Sequence, residues 1–167
     1  MQAVQNRKRI PTLTQLFGIC TLAATLTACP PQPATPTAFD ILLNGSQVVP
    51  SVTTTGLGSI NATANGTTLT VAGDVHSLKG VISSTNLYCG APIGQNVVDP
   101  ATFVALSYSN STSVSGAGTI FGTITGGTQA QFDLLTANQC YIVVFTKIGL
   151  QPIAPEIRGQ VIKRSGS

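Results

Sequence analysis

Cysteines are the residues of this chain with the clearest chemistry, because a thiol can form a disulfide, bind a metal or carry a covalent group. The 167-residue chain has four, of which Cys89 and Cys140 lie in its body. The start of this chain has the layout of an export signal, and an even pair of cysteines in an exported protein is usually a disulfide. A metal or redox pair is the alternative, but the two lack C-x-x-C spacing and no His lies near either. We predict a Cys89–Cys140 disulfide with a Cα separation of about 4.4–6.8 Å.

Other reactive side chains are few and scattered. Glu156 and Arg158 lie two residues apart on a predicted strand, which would place both on one face. They could form a polar recognition pair, but one acid and one arginine complete no catalytic constellation, so we predict a structural ion pair. His76 is the only histidine, and it ends a predicted strand where a surface role is expected. We therefore predict no catalytic residue, no metal site and no cofactor.

Residues 1–28 have the layout of an export signal. A basic start at Arg7–Arg9 precedes an apolar stretch over 16–24, which is shorter than the roughly 20 residues that span a membrane. The tetrapeptide Leu26–Cys29 (LTAC) follows, and it resembles the lipobox of bacterial lipoproteins. The resemblance implies that Cys29 carries a lipid and becomes the first mature residue. An ordinary cleaved signal that happens to contain a cysteine is the alternative.

Composition and charge limit the partners. Charged residues make up 8% of the chain and apolar residues 43%, which excludes a disordered charged tail and a charged helical bundle. The net charge of +3 comes from Arg7–Arg9, because the rest of the chain has five basic and five acidic residues. No basic patch remains to follow a phosphate backbone, so we predict no nucleic-acid partner.

The elements that position these residues are predicted to be β-strands. Residues 68–75 and 130–134 alternate apolar and polar side chains, which is typical of half-buried antiparallel strands. Residues 141–145 are continuously apolar, which predicts a strand covered on both faces. Asn65-Gly66 between two alternating runs predicts a hairpin. Further candidate strands lie at 39–44, 56–64, 82–88, 102–109, 114–124 and 156–163.

No segment of the mature chain shows a sustained helical period. Many short strands predict an all-β fold, a single antiparallel Greek-key sandwich or barrel-like domain over 39–163. Residues 29–38 would be the lipidated cysteine and a tether, in which four prolines favour an extended conformation. Residues 164–167 would form a C-terminal tail.

The first and last predicted strands resemble those of the CHRD, or chordin-type, domain. Residues 39–50 (FDILLNGSQVVP) look like the opening strand of that family, with its Leu-x-Gly and Val-Pro-Pro, and Thr54 matches the following Thr…Gly stretch. Residues 140–146 (CYIVVFT) and 156–161 (EIRGQV) are similar to the family's Tyr-Val-x-Val-His-Thr and Glu-Ile-Arg-Gly-Gln. The resemblance covers 39–163 and implies a module of secreted proteins, one of which binds growth factors in animals.

The chain departs from that family at three histidines. The family commonly has a His-x-His-x-Gly element and a third His in its Val-His-Thr strand, and the aligned positions here are Asn86, Tyr88 and Phe145. A metal site built on those histidines cannot form in this chain. Cys89 and Cys140 flank the same two strands, and we hypothesise that their disulfide fills the space and the stiffening role of the histidines.

These features together predict a membrane-anchored, extracytoplasmic lipoprotein of the bacterial cell envelope with a non-catalytic binding or structural role. Its partners would be the membrane, through the lipid on Cys29, and a protein or envelope polymer. A metal-dependent redox enzyme on a related β-sandwich is the alternative, and the absent histidines argue against it.

Overall fold

Ten β-strands and one α-helix make up the part of the chain that the computed structural model describes, residues 35–98, 103–112 and 115–166. A 3-10 turn at Gly45–Gln47 follows the first strand, and helix α1 spans Gln129–Thr136. Cys29 and the predicted signal lie outside the described residues. The strands are β1 (Thr37–Asn44), β2 (Leu57–Asn65), β3 (Thr68–His76), β4 (Val81–Cys89), β5 (Phe103–Ala105), β6 (Ser107–Asn110), β7 (Gly118–Ile124), β8 (Cys140–Lys147), β9 (Ala154–Gln160) and β10 (Ile162–Lys163).

The strands form one antiparallel sheet that curls into a nearly closed barrel. Its order is β5-β4-β8-β9-β1-β2-β3-β7-β6, and β10 pairs with β1. The two edges meet where the Asn110 side chain of β6 bonds the backbone of Ile82 in β4, accepting from its N–H at 2.8 Å and donating to its carbonyl at 3.0 Å. The predicted all-β, antiparallel, barrel-like fold is confirmed. Because β1 pairs with β9 and β3 with β7, the connections include crossovers of the Greek-key kind.

Alternation along the strands decides which side chains enter the barrel. On β3, Leu69, Val71 and Val75 are buried while Thr70 and Asp74 are exposed, as predicted. The same rule fills the barrel from the other strands. The largest fully enclosed apolar side chains are Phe39, Ile41, Leu43, Ile60, Ile120, Ile142 and Ile157.

Strand β8 is covered on both faces, as predicted. Ile142 and Val144 lie in the barrel core, whereas Tyr141 and Val143 belong to a second apolar cluster. That cluster also contains Ala91, from the loop that follows β4. The loop folds over the outer face of the sheet and removes that face from water.

The hairpin predicted at Asn65-Gly66 joins β2 to β3. Asn65 pairs with Thr68, which leaves Gly66 and Thr67 as the two-residue turn. Gly66 has a φ of 57°, a conformation that glycine adopts without the steric cost that a Cβ would impose. The turn therefore sets the register of both strands.

The prediction of a strand at 130–134 is wrong, because these residues lie in helix α1. A capping box begins the helix. The Thr128 side chain accepts from the Gln131 N–H at 3.3 Å, and Gln131 Oε1 accepts from the Thr128 N–H at 2.8 Å. The short run 130–134 fits a strand and a helix equally well, and the local caps decide between them. The described part of the chain contains no helix long and apolar enough to cross a membrane.

Two predicted strands are each divided in the structure. Residues 102–109 contribute β5, which pairs with β4, and β6, which pairs with β7. The division falls at Leu106, a buried residue whose N–H bonds the Thr85 carbonyl at 2.8 Å. Residues 156–163 likewise give β9 and β10, on either side of Val161. Each division lets one segment of the chain pair with two different strands of the curled sheet.

Both ends of the described β domain are joined to the sheet. Strand β1 begins at Thr37, two residues before the predicted start, because Thr37 and Ala38 pair with Ala64 and Thr63 of β2. In the predicted tail, the Arg164 side chain forms an exposed ion pair with Asp40. Residues Pro33–Ser167 group as one compact unit, which contains every strand and the helix.

Candidate functional site

An apolar cavity of about 410 Å³ lies between helix α1 and one end of the barrel. None of the described residues that line it is charged, and the only polar side chain among them is the amide of Gln131. The walls come from strands β3, β4, β5 and β7 and from the helix. The main aliphatic and aromatic wall residues are Leu69, Leu87, Val104, Ile124, Phe132 and Leu135.

Helix α1 holds one wall in place through its spacing and its caps. Phe132 and Leu135 are three residues apart, so both project from one face of the helix towards the barrel. Gly127 allows the close approach of Phe132, because a Cβ there would lie 2.7 Å from the ring. The positive φ of Asn138, 56°, ends the helix and turns the chain into β8. The Asn138 side chain accepts from the Lys163 N–H at 2.9 Å, which ties this end of the helix to β10.

The predicted disulfide is confirmed, and it borders the cavity. Cys89 and Cys140 are joined with an S–S distance of 2.03 Å, and Cys89 is one of the lining residues. Their Cα atoms are 4.0 Å apart, closer than the range predicted, because the two residues lie directly opposite each other in the β4–β8 ladder. The bond fixes two neighbouring strand ends beside the opening of the barrel.

The disulfide does not share a face of the sheet with Asn86 and Tyr88, two of the positions that the resemblance aligns with histidines. Cys140 belongs to the barrel core, whereas Tyr88 lies in the cluster on the opposite face of the sheet. Successive residues of a strand point to opposite faces, so neither Tyr88 nor Asn86 shares a face with the neighbouring Cys89. Tyr88 stacks instead on Tyr141, with ring centroids 5.3 Å apart.

Arg158 is enclosed within that outer cluster. Its guanidinium lies 3.9 Å above the Tyr141 ring and donates to the carbonyls of Gln47 and Gln95 at 2.9 Å and 2.7 Å. A weaker bond of 3.3 Å reaches the Gln160 amide, and Nε has no partner among the described residues. Burial lowers the pKa of Arg158 from its usual value. The side chain therefore holds two loops, the turn after β1 and the loop after β4, against strands β8 and β9.

The predicted ion pair between Glu156 and Arg158 is absent from the described structure, in which Asp40–Arg164 is the only ion pair. A register shift between β8 and β9 at Val144/Phe145 leaves Glu156 without a strand partner. Such a bulge interrupts the alternation that would have placed the two side chains on one face. Each side chain therefore has its own set of partners.

Glu156 is buried and accepts three hydrogen bonds. Its Oε1 accepts from the Thr54 hydroxyl at 2.6 Å and from the Lys79 N–H at 2.7 Å. Its Oε2 accepts from the Thr146 hydroxyl at 2.7 Å. Three separate segments meet at this carboxylate, so its role is to join them.

Metal-binding groups are sparse in the part of the chain that the structure describes. No three His, Cys, Asp or Glu side chains there lie close enough to hold a metal ion. His76 is exposed at the end of β3, and its Nδ1 is 3.2 Å from the Ser77 hydroxyl.

Comparison with protein-family models finds no match for this chain, and comparisons with curated proteins and with solved structures also find none.

Proposed function

We propose that this protein is a non-catalytic binding domain of the bacterial cell envelope, and that its binding site is the cavity under α1. The single observation that carries the proposal is that cavity, with its volume of about 410 Å³ and its uncharged lining. Small-molecule sites typically measure about 300–1,000 Å³ and are lined mainly by apolar side chains. The sequence favoured a protein or polymer partner, but an apolar cavity of this volume suits a small uncharged molecule better.

The cellular setting in the proposal rests on the sequence. Leu26–Cys29 resembles a lipobox and the body resembles a CHRD domain, so the protein would be an extracytoplasmic lipoprotein held in a membrane by a lipid on Cys29. Several acyl chains, at about 0.8 kcal/mol per buried methylene, would hold it firmly there.

Replacing the predicted lipid attachment residue tests the anchor. We expect Cys29→Ser to abolish metabolic labelling with a radioactive fatty acid, because serine has no thiol to accept the lipid. The precursor should remain unprocessed, or the protein should leave the membrane fraction. Cys20→Ser is the matched control, since Cys20 lies in the predicted signal, and it should label normally. Normal labelling of the Cys29→Ser protein would contradict the lipid anchor.

A charge in the cavity tests the binding site. N-phenyl-1-naphthylamine is an uncharged apolar probe that fluoresces when it leaves water, and the domain should bind it. Leu134 of α1 is another of the residues that line the cavity. We expect Leu134→Lys to weaken binding of the probe by at least about tenfold, because a charged side chain in an apolar wall keeps its water. Lysine suits a helix, so α1 should persist.

The control for this variant is Leu42→Lys. Leu42 is 66% exposed on β1 and is not part of the cavity, so the substitution should leave the affinity unchanged. Binding that is equally strong in all three proteins, or no binding to the wild type, would overturn the proposed site.

A further inference from the structure

The end of the barrel that carries the cavity is also the end at which the tether joins. Thr37, the first residue of β1, pairs with Ala64, next to the hairpin that contains Gly66 and Thr67. The Thr67 carbonyl accepts from the N–H of Gly127, one of the lining residues, at 3.1 Å. The start of β1, which the tether precedes in the sequence, and the cavity therefore lie at the same end of the domain.

The tether is short. Residues 29–36 are eight in number, so the chain from Cys29 to the start of β1 can reach no further than about 28 Å, whatever its conformation. If Cys29 is held at a membrane, the cavity end of the barrel remains within that distance of the lipid headgroups. The lipids of that membrane are then the nearest source of acyl chains.

The size and lining of the cavity suit one such chain. A cavity of about 150 Å³ holds benzene, which has six carbons. Scaled by volume, about 410 Å³ has room for roughly sixteen carbons, which is one acyl chain and not two. With no charged side chain among its described walls, the cavity offers a carboxylate or phosphate no partner, so a charge brought to its opening would lose water without gaining a partner.

We infer that the cavity binds a single acyl chain of an uncharged or weakly polar lipid, taken from the membrane that holds the anchor. The inference rests on the proposed function, and it adds the class of ligand and its source. The chain lies along Leu69, Leu87 and Val104 with its head at the opening of the cavity.

Chain length gives the sharpest test. Monoacylglycerols with chains of about ten to eighteen carbons would be titrated against N-phenyl-1-naphthylamine bound to the soluble chain of residues 30–167, which contains the compact unit. Each buried methylene should tighten the affinity about fourfold until the cavity is full. Beyond roughly sixteen carbons the affinity should level off. Binding to an unspecific apolar surface would continue to strengthen with length.

A variant that shortens the cavity tests whether an acyl chain lies inside it. Val104→Phe should move the plateau to chains shorter by about the four carbons that phenylalanine adds. Leu134→Phe adds about three carbons from the helix, should shift the plateau by about that number, and serves if the first variant folds poorly. Leu42→Phe, on the exposed face of β1, is the control and should leave the plateau in place.

The source of the lipid requires a second comparison. A fluorescent monoacylglycerol in vesicles should transfer faster to the lipid-anchored protein in the same vesicles than to the soluble chain at equal concentration. Free palmitate, whose carboxylate is charged, should bind no more tightly than the monoacylglycerol of equal length.

The outcomes separate the two proposals. A plateau that shifts with Val104→Phe or Leu134→Phe, together with faster transfer to the anchored protein, supports the inference. If N-phenyl-1-naphthylamine binds but monoacylglycerols do not displace it, or the affinity shows no plateau, the acyl-chain assignment is wrong while the binding site stands. Equal transfer rates would overturn the membrane source. Failure of the fluorescent probe to bind overturns the proposed function itself.

Discussion

Arg158→Ala should lower the free energy of unfolding by roughly 2–4 kcal/mol. The guanidinium donates to the carbonyls of Gln47 and Gln95 in partly buried bonds, and a hydrogen bond from a charged donor contributes about 1.5–3 kcal/mol. The truncation also empties the space above the Tyr141 ring. Part of this loss is offset because a buried charge is no longer removed from water. Urea denaturation followed by circular dichroism would measure the change in stability.

Arg164→Ala is the matched control for this prediction. Arg164 has an acidic partner, Asp40, and lowers the pKa of that carboxyl, but both side chains are about half exposed. Exposed pairs contribute little because water screens them, so Arg164→Ala should leave the unfolding midpoint nearly unchanged. An Arg158→Ala protein as stable as Arg164→Ala would show that Arg158 does not hold the two loops.

Removing the disulfide should lower the free energy of unfolding by a similar amount, through a different mechanism. Cys89 and Cys140 are separated by 51 positions in the sequence, and closing a loop of that length in the unfolded chain is worth about 4 kcal/mol in the chain-entropy model. The Cys89→Ala/Cys140→Ala protein should therefore unfold at a markedly lower urea concentration. Dithiothreitol should destabilise the wild type and leave the double variant unaffected. Equal stability of the wild type with and without dithiothreitol, after the thiols have been shown to be free, would contradict this role.

Alternation was enough to predict most of the fold. Side chains that repeat with a period of two identified β3, a continuous apolar run identified β8, and Gly66 marked the hairpin between β2 and β3. The disulfide was predicted because Cys20 lies in the predicted signal and Cys29 is the predicted lipid attachment residue, which leaves Cys89 and Cys140 as a pair. These signals are local or depend on composition, so a sequence contains them directly.

Helix α1 was missed although a signal for it was present. Residues 130–134 are too few to separate a period of two from a helical one. The capping box formed by Thr128 and Gln131 was the available signal, a Thr followed three residues later by Gln. The cavity depends on this helix lying over the barrel end, and so it was missed as well.

The predicted ion pair is absent from the described residues, and the disulfide lies on the opposite face from Tyr88, for a reason that a sequence does not display. Both depended on which face of the sheet a side chain occupies. The bulge at Glu156 depends on how β9 aligns with β8, and it interrupts the alternation. Cys89 and Tyr88 are adjacent in sequence, yet one borders the barrel interior and the other lies outside it.

Contacts between a bound probe and the cavity walls would show directly whether the binding site lies under α1. Methyl-labelled protein would be mixed with N-phenyl-1-naphthylamine, and nuclear Overhauser effects between the probe and protein methyl groups would be recorded. We expect effects to Leu69, Val104 and Leu135, which line the cavity from strands β3 and β5 and from helix α1. Effects confined to the exposed methyl groups of Leu42 or Leu150, or no effects at saturating probe, would contradict a binding site under α1.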